Sequence, residues 1–170
     1  MKKRILTWLL AISMLGSLLT VPAGAAAVTK FSDVSDSYTA TAVETLRLMG
    51  VLDGYGDGTF RPDTVLNRAQ FCKMAVYAMD GSGELGRYST VTIFPDVKPS
   101  HWASAYINMA ARKGIISGFA DGKFKPGQTV TAGQAVTILM RGLGYKDEDM
   151  GGVWPQSYMA EAQTNGLLKS

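Results

Sequence analysis

Apolar residues recur at helical spacing in four stretches of this 170-residue chain. Val43, Leu46 and Met49 mark one. Phe71, Met74, Ala75, Ala78 and Met79 mark a second, Trp102, Tyr106, Met109 and Ala110 a third, and the fourth follows Thr131. The spacing predicts helices from about Tyr38 to Met49, Arg68 to Met79, His101 to Lys113 and Ala132 to Arg141. The first and third stop at Gly50 and Gly114, each followed by an apolar residue, Val51 or Ile115. Glycine accepts the left-handed backbone that lets the next amides bond the last helical carbonyls, and the apolar neighbour folds back onto the helix. The second and fourth start behind Asn67 and Thr131, with Gln70 and Gln134 three residues on, the pattern of a capping box. Between the helices of each pair runs Asp-Gly-x-Phe-x-Pro: a glycine turn, an apolar plug (Phe60 or Phe124) and a helix-blocking proline.

The pairing reflects an internal repeat, the feature that organises the whole chain. Phe31-Ser32-Asp33-Val34 returns as Phe94-Pro95-Asp96-Val97 at an offset of 63. Gly54-Tyr55-Gly56-Asp57-Gly58-Thr59-Phe60-Arg61-Pro62 returns as Gly118-Phe119-Ala120-Asp121-Gly122-Lys123-Phe124-Lys125-Pro126 at an offset of 64. Trp154, Tyr158 and Gly166-Leu167-Leu168 echo Trp102, Tyr106 and Gly114-Ile115-Ile116 at an offset of 52, the start of a third copy. The expected class is mainly α, built from helix-loop-helix units: 28–80, a Gly- and Ser-rich surface linker 81–92, 93–146, and an incomplete third unit 147–170.

Ahead of the units, Met1-Lys2-Lys3-Arg4 precedes an uncharged, mostly apolar run from Ile5 to Val21 and then Ala23, Gly24, Ala25, Ala26 and Ala27. A basic start, an apolar middle and small exit residues read as a cleavable secretory signal over 1–27. The run is shorter than the roughly 20 apolar residues of a spanning helix, so no membrane association is expected after cleavage. Removal of the signal takes three of the 17 basic residues and none of the 14 acidic ones, leaving 14 minus 14, a neutral chain. That removes the basic excess that would point to nucleic acid. The single cysteine, Cys72, lies in an apolar-periodic stretch and is expected as a buried small hydrophobe. Secretion without disulfides points to a bacterium.

Phe-x-Asp-Val, a helix opening with His-Trp-Ala, Gly-Ile-Ile-x-Gly, Asp-Gly-x-Phe-x-Pro and a Thr-Arg-Ala-Glu-like second helix, in that order, resemble the S-layer homology (SLH) domain. The resemblance implies a pseudo-threefold helical bundle whose inter-unit grooves bind secondary cell-wall polysaccharide, often carrying pyruvylated mannosamine. It also implies non-covalent anchoring of a secreted protein at the cell wall, in the S-layer. The family's binding arginine falls on Arg68 of Asn67-Arg68-Ala69-Gln70. A guanidinium fork fits the carboxylate of a pyruvyl ketal, and unpaired amides at the helix start are expected to assist it. The second copy has Ala132 in place of the arginine, so its groove is expected to lack that fork. Trp102, Trp154 and, in the first copy, Tyr38 match the family's aromatic position and offer a flat face to a sugar ring. Asp33 and Asp96 would orient a sugar hydroxyl or the neighbouring backbone.

Two other chemistries fit poorly. Asp53-Gly54-Tyr55-Gly56-Asp57-Gly58 resembles a calcium loop at positions 1, 5 and 6 but has Tyr55 at position 3 and Thr64 at position 12, so no metal is expected. One histidine, His101, one cysteine and duplicated aspartates in turns make no catalytic constellation, and neither enzyme activity nor a cofactor is expected. The alternative to glycan binding is a structural module that packs against other surface proteins. An unpaired first helix in the third unit would leave an apolar flank and favour self-association.

Overall fold

The computed structural model describes residues 30–79 and 82–168; the expected signal segment lies outside them. Among the described residues five α-helices carry the fold: α1 (Ser37–Leu48), α2 (Arg68–Ala78), α3 (Ser104–Arg112), α4 (Ala132–Gly142) and α5 (Gln156–Thr164). Short 3-10 segments lie at Ser82–Tyr88 and Asp147–Asp149, and among the described residues there is no strand beyond one isolated antiparallel bridge, Asn67 to Thr129. No described helix is long and apolar enough to cross a membrane.

Local chemistry sets the helix ends. Gly50, Gly114 and Gly166 have φ of 71°, 71° and 70°. Each is followed by an amide that reaches back into the helix: Val51 N–H to Leu46 O, Ile115 N–H to Ala110 O and Leu167 N–H to Ala162 O, at 2.8–2.9 Å. Both capping boxes form, Asn67 with Gln70 and Thr131 with Gln134. The expected start at His101 is three residues early. His101 N–H bonds Lys98 O and His101 Nδ1 accepts from Ala103 N–H, so this stretch is a turn and Trp102 stands on it rather than on α3.

The loops are built twice on one plan. Phe31 packs on Phe60 (ring centroids 5.7 Å apart) and Phe94 on Phe124 (5.5 Å). A Cβ on Gly54 would stand 2.1 Å from the Phe31 ring, and Gly54 also has φ +72°, so only glycine fits. Asp33 accepts from Phe60 and Arg61 N–H (2.7 and 2.6 Å), and Asp96 from Phe124 and Lys125 N–H (2.9 and 2.7 Å). Arg61 and Lys125 are the described non-glycine residues with positive φ, 61° and 58°. The carboxylate clasp on their own amides is what offsets that unfavourable backbone.

Packing runs out of step with the repeat. Residues of α2 (Ala69, Cys72, Ala75, Val76) lie in one core with Phe94, Val97, Ile107, Met109, Ile116 and Phe124 of the second unit. In the same way Val136 and Met140 of α4 join Tyr158 and Ala162 of the third. A smaller cluster of Phe31, Val34, Ala40, Val43 and Leu52 closes the first unit. Cys72 is fully buried and burial pushes its thiol up to about 12, so it acts as a small core residue. The segment expected as a surface linker is docked: Leu85 and Tyr88 pack on the central core, Glu84 pairs with Lys113 (2.9 Å), and buried Asn108 donates to Tyr88 O and Val91 O.

Two outcomes follow from the clasped loops. Gly54→Ala is expected to destabilise the fold by about 2–3 kcal/mol, from ring clash and left-handed strain together, as read by chemical denaturation. Burial raises the Asp96 carboxyl, but the Phe124 and Lys125 amides outweigh it and hold it below its ordinary value of 3.8. Its contribution is therefore full above that value and lost as pH falls through the lower folded one. Asp96→Asn should cost about 1–2 kcal/mol near neutral pH, and the gap to the parent should narrow as the pH is taken below the ordinary carboxylate range, in denaturation curves recorded across that span.

Candidate functional site

Arg68 is the first residue of α2, and the interlocked packing carries it into the second unit. Only 4% of its surface is exposed. Its guanidinium stands over the rings of Phe119 and Phe124, with Cζ 4.6 and 4.5 Å from their centroids. Nε donates to Phe124 O at 2.8 Å and Nη2 to Ser117 O at 3.3 Å. Among the described residues no carboxylate lies within ion-pair distance of it. Burial lowers its pKa, with Cys72 and Asp96 acting the other way, but an arginine keeps its proton regardless. A buried cation is thus held by carbonyl oxygens and ring faces, without a counter-anion.

The amides at the start of α2 are not available to a ligand, contrary to the expectation from sequence. Arg68 N–H bonds Gln128 O (2.8 Å), Ala69 N–H bonds Pro126 O (3.1 Å) and Gln70 N–H bonds Asn67 Oδ1 (2.9 Å). The second unit's loop caps the first unit's helix and consumes its donors.

Arg68 opens onto a cavity of about 540 Å³. The other walls are Ser117 and Phe119 of the second unit's loop, Gln134, Thr137 and Arg141 of α4, and Asp147, Trp154 and Tyr158 of the third unit. Arg141 grips both Asp147 oxygens, Nε at 2.8 Å and Nη2 at 2.7 Å, and reaches Ser117 Oγ with Nη1 at 3.2 Å. Tyr158 donates its hydroxyl to Asp147. The bonds from Arg141 and then Tyr158 hold the Asp147 carboxyl below its ordinary value. Trp154 donates Nε1–H to Thr137 Oγ1 at 3.0 Å and leaves about half of its surface, 51%, exposed. The cavity therefore offers a buried cation, hydroxyl and amide donors and a half-wet aromatic face, the mix that suits a polar ligand with an anionic group.

Of the residues singled out from sequence, Arg68 and Trp154 meet at this cavity. Trp102 is 55% exposed and stacks on His101 (5.7 Å, 27°), outside the lining, and Tyr38 is 70% exposed at the start of α1. Asp33 and Asp96 have both carboxylate oxygens engaged by loop amides, the backbone-orienting one of the two roles expected for them. The groove to which Ala132 was assigned also changes. The cavity between second and third units takes its free guanidinium from the first unit, and Ala132 lies exposed outside the lining. Arg141, Asp147 and Thr137 were missed. Arg141 ends an amphipathic helix, where a cation at a helix C-terminus needs no further cause.

Comparison with known proteins bears on what such a chain is. It matches the S-layer homology domain over residues 30–72 and 93–136. It is 38% identical over 148 residues to a cell surface protein of Thermoanaerobacter kivui, covering 85% of this chain and 19% of that one. It is 32% identical over 146 residues to the middle cell wall protein of Brevibacillus brevis, covering 85% of this chain and 14% of that one. A cellulosome-anchoring protein of Acetivibrio thermocellus is 31% identical over 115 residues, 66% of this chain and 26% of that protein. The chain thus spans about a fifth or less of the first two relatives. With both of its complete repeats matched, one after the other, the chain belongs to the S-layer homology domain family.

Proposed function

We propose that this chain is a non-enzymatic anchoring module of the bacterial cell surface, and that it binds an acidic saccharide of the secondary cell-wall polysaccharide in the cavity between its second and third units. The observation that carries the reading is the buried, anion-less guanidinium of Arg68 on the wall of a 540 Å³ cavity beside a half-exposed tryptophan. A pyruvyl ketal presents a planar carboxylate, which a guanidinium binds through charge-assisted hydrogen bonds. The sugar ring stacks on Trp154, and Gln134 and Ser117 meet its hydroxyls. Trp102 and Tyr38, both outside the cavity, serve as outer contacts for a longer polymer. The pseudo-threefold bundle belongs to the same proposal and is supported by packing in which each second helix joins the next unit's core. Wall- and surface-associated relatives support the cellular setting.

Retention of the chain on purified wall polysaccharide, with and without its acidic ketals, tests the reading. Binding is expected to the ketal-bearing polymer and to fall sharply when the ketals are removed; equal retention on both would overturn it. Arg68→Ala should weaken binding by about 2–3 kcal/mol, roughly 30- to 150-fold. Trp154→Ala, a change at a half-exposed side chain, should cost about 1–2 kcal/mol of affinity with little loss of thermal stability. A chain that binds surface proteins but no polysaccharide in these assays is a structural module instead.

A further inference from the structure

The charged groups on the cavity wall are Arg68, Arg141 and Asp147. The two arginines are not equivalent. Arg141, 13% exposed, has its fork filled by Asp147, whereas Arg68 has no carboxylate within ion-pair distance among the described residues. Gln134, Thr137, Trp154 and Tyr158 are neutral, so two positive charges and one negative leave the cavity with a single net positive charge. The side chain of Asp147 is 66% exposed, which puts this fixed negative charge at the water-facing side of the site.

Asp147 holds an unusual place in the repeat. Tyr145-Lys146-Asp147 echoes Phe94-Pro95-Asp96 at an offset of 51, one residue short of the 52 that relates Trp154 to Trp102. In the first two units the carboxylate clasps loop amides, while Asp147 turns to Arg141 and Tyr158. A singly charged ligand reaching Arg68 neutralises the cavity. A doubly charged one leaves a surplus negative charge in a cavity whose mouth already carries the Asp147 carboxylate.

On the polysaccharide reading above, we infer that Asp147 sets the charge selectivity of this cavity, admitting a saccharide with one ionised carboxylate and disfavouring a doubly charged phosphate or sulfate. Arg141 is the positioning residue that holds the selector in place.

Calorimetric titration of the full chain with two probes tests this: the methyl glycoside of 4,6-pyruvylated N-acetylmannosamine, with one charge, and N-acetylmannosamine 6-phosphate, with two at about pH 8. The parent is expected to prefer the ketal by about tenfold or more. Asp147→Asn should raise phosphate affinity about tenfold and change ketal affinity by less than about threefold. Asp147→Ser, smaller and equally neutral, should move the ratio the same way. Glu148→Gln makes the same charge change at a residue outside the lining, paired with Lys146, and should leave the ratio alone. An unchanged ratio in Asp147→Asn, or an equal change in Glu148→Gln, overturns the assignment. Failure of both saccharides to bind the parent would sink the polysaccharide reading instead. Selectivity is then read from the Arg68 Nε resonance with sodium sulfate against sodium acetate. A sulfate response that grows in Asp147→Asn upholds the role of Asp147, and equal responses remove it.

Discussion

Everything in this structure depends on how the first turn of α2 is held. Its amides bond the carbonyls of Pro126 and Gln128, and its arginine bonds those of Ser117 and Phe124, all from the second unit. The apolar side of the helix enters the same unit's core through Ala69, Cys72 and Val76. Two otherwise unsatisfied sets of groups, the donors of a helix start and the carbonyls of an irregular loop, complete each other. That junction fixes the loop, and the loop forms a wall of the cavity.

The energetics of Arg68 follow from the same junction. Buried ions ordinarily come with a partner ion, because desolvation is costly and a nearby opposite charge offsets it. Here dipoles and ring faces do the holding, and these have a fixed direction. They hold the guanidinium at the cavity wall without neutralising it. Arg141, by contrast, is neutralised by Asp147 and braced by Ser117. One wall therefore carries two arginines with different tasks, a distinction set by their neighbours rather than by residue type.

Much of the fold was legible in the sequence because it rests on short-range rules. Glycine stops, capping boxes and the Asp-Gly-x-Phe-x-Pro loop each need only a few consecutive residues, and all stand where they were expected. The start of α3 was misplaced because a histidine nitrogen takes the Ala103 amide, a side-chain bond that apolar spacing does not reveal. Arg68 and Trp154 were found through the family resemblance, but their meeting was not, since three units contribute to one cavity. Arg141 and Asp147 stand six residues apart across a helix end, where no helical or strand periodicity links them. The clasp of Asp33 was half visible: a bond to backbone was expected, but its target lies 27 and 28 residues downstream rather than next to it.

Because each second helix is a structural member of the following unit's core, the folding modules are shifted by half a period from the duplicated segments of the gene. Cutting or shuffling at the sequence boundary, through residues 80–92, would strand α2 on one side with Ala75 and Val76 stripped of their cover. A break inside a repeat, between α1 and α2, separates fewer buried contacts, with Met74 of α2 the main link to the first cluster. Modular exchange among surface proteins built this way is therefore constrained to move whole arrays, and chimaeras joined at the obvious seam inherit a mismatched interface.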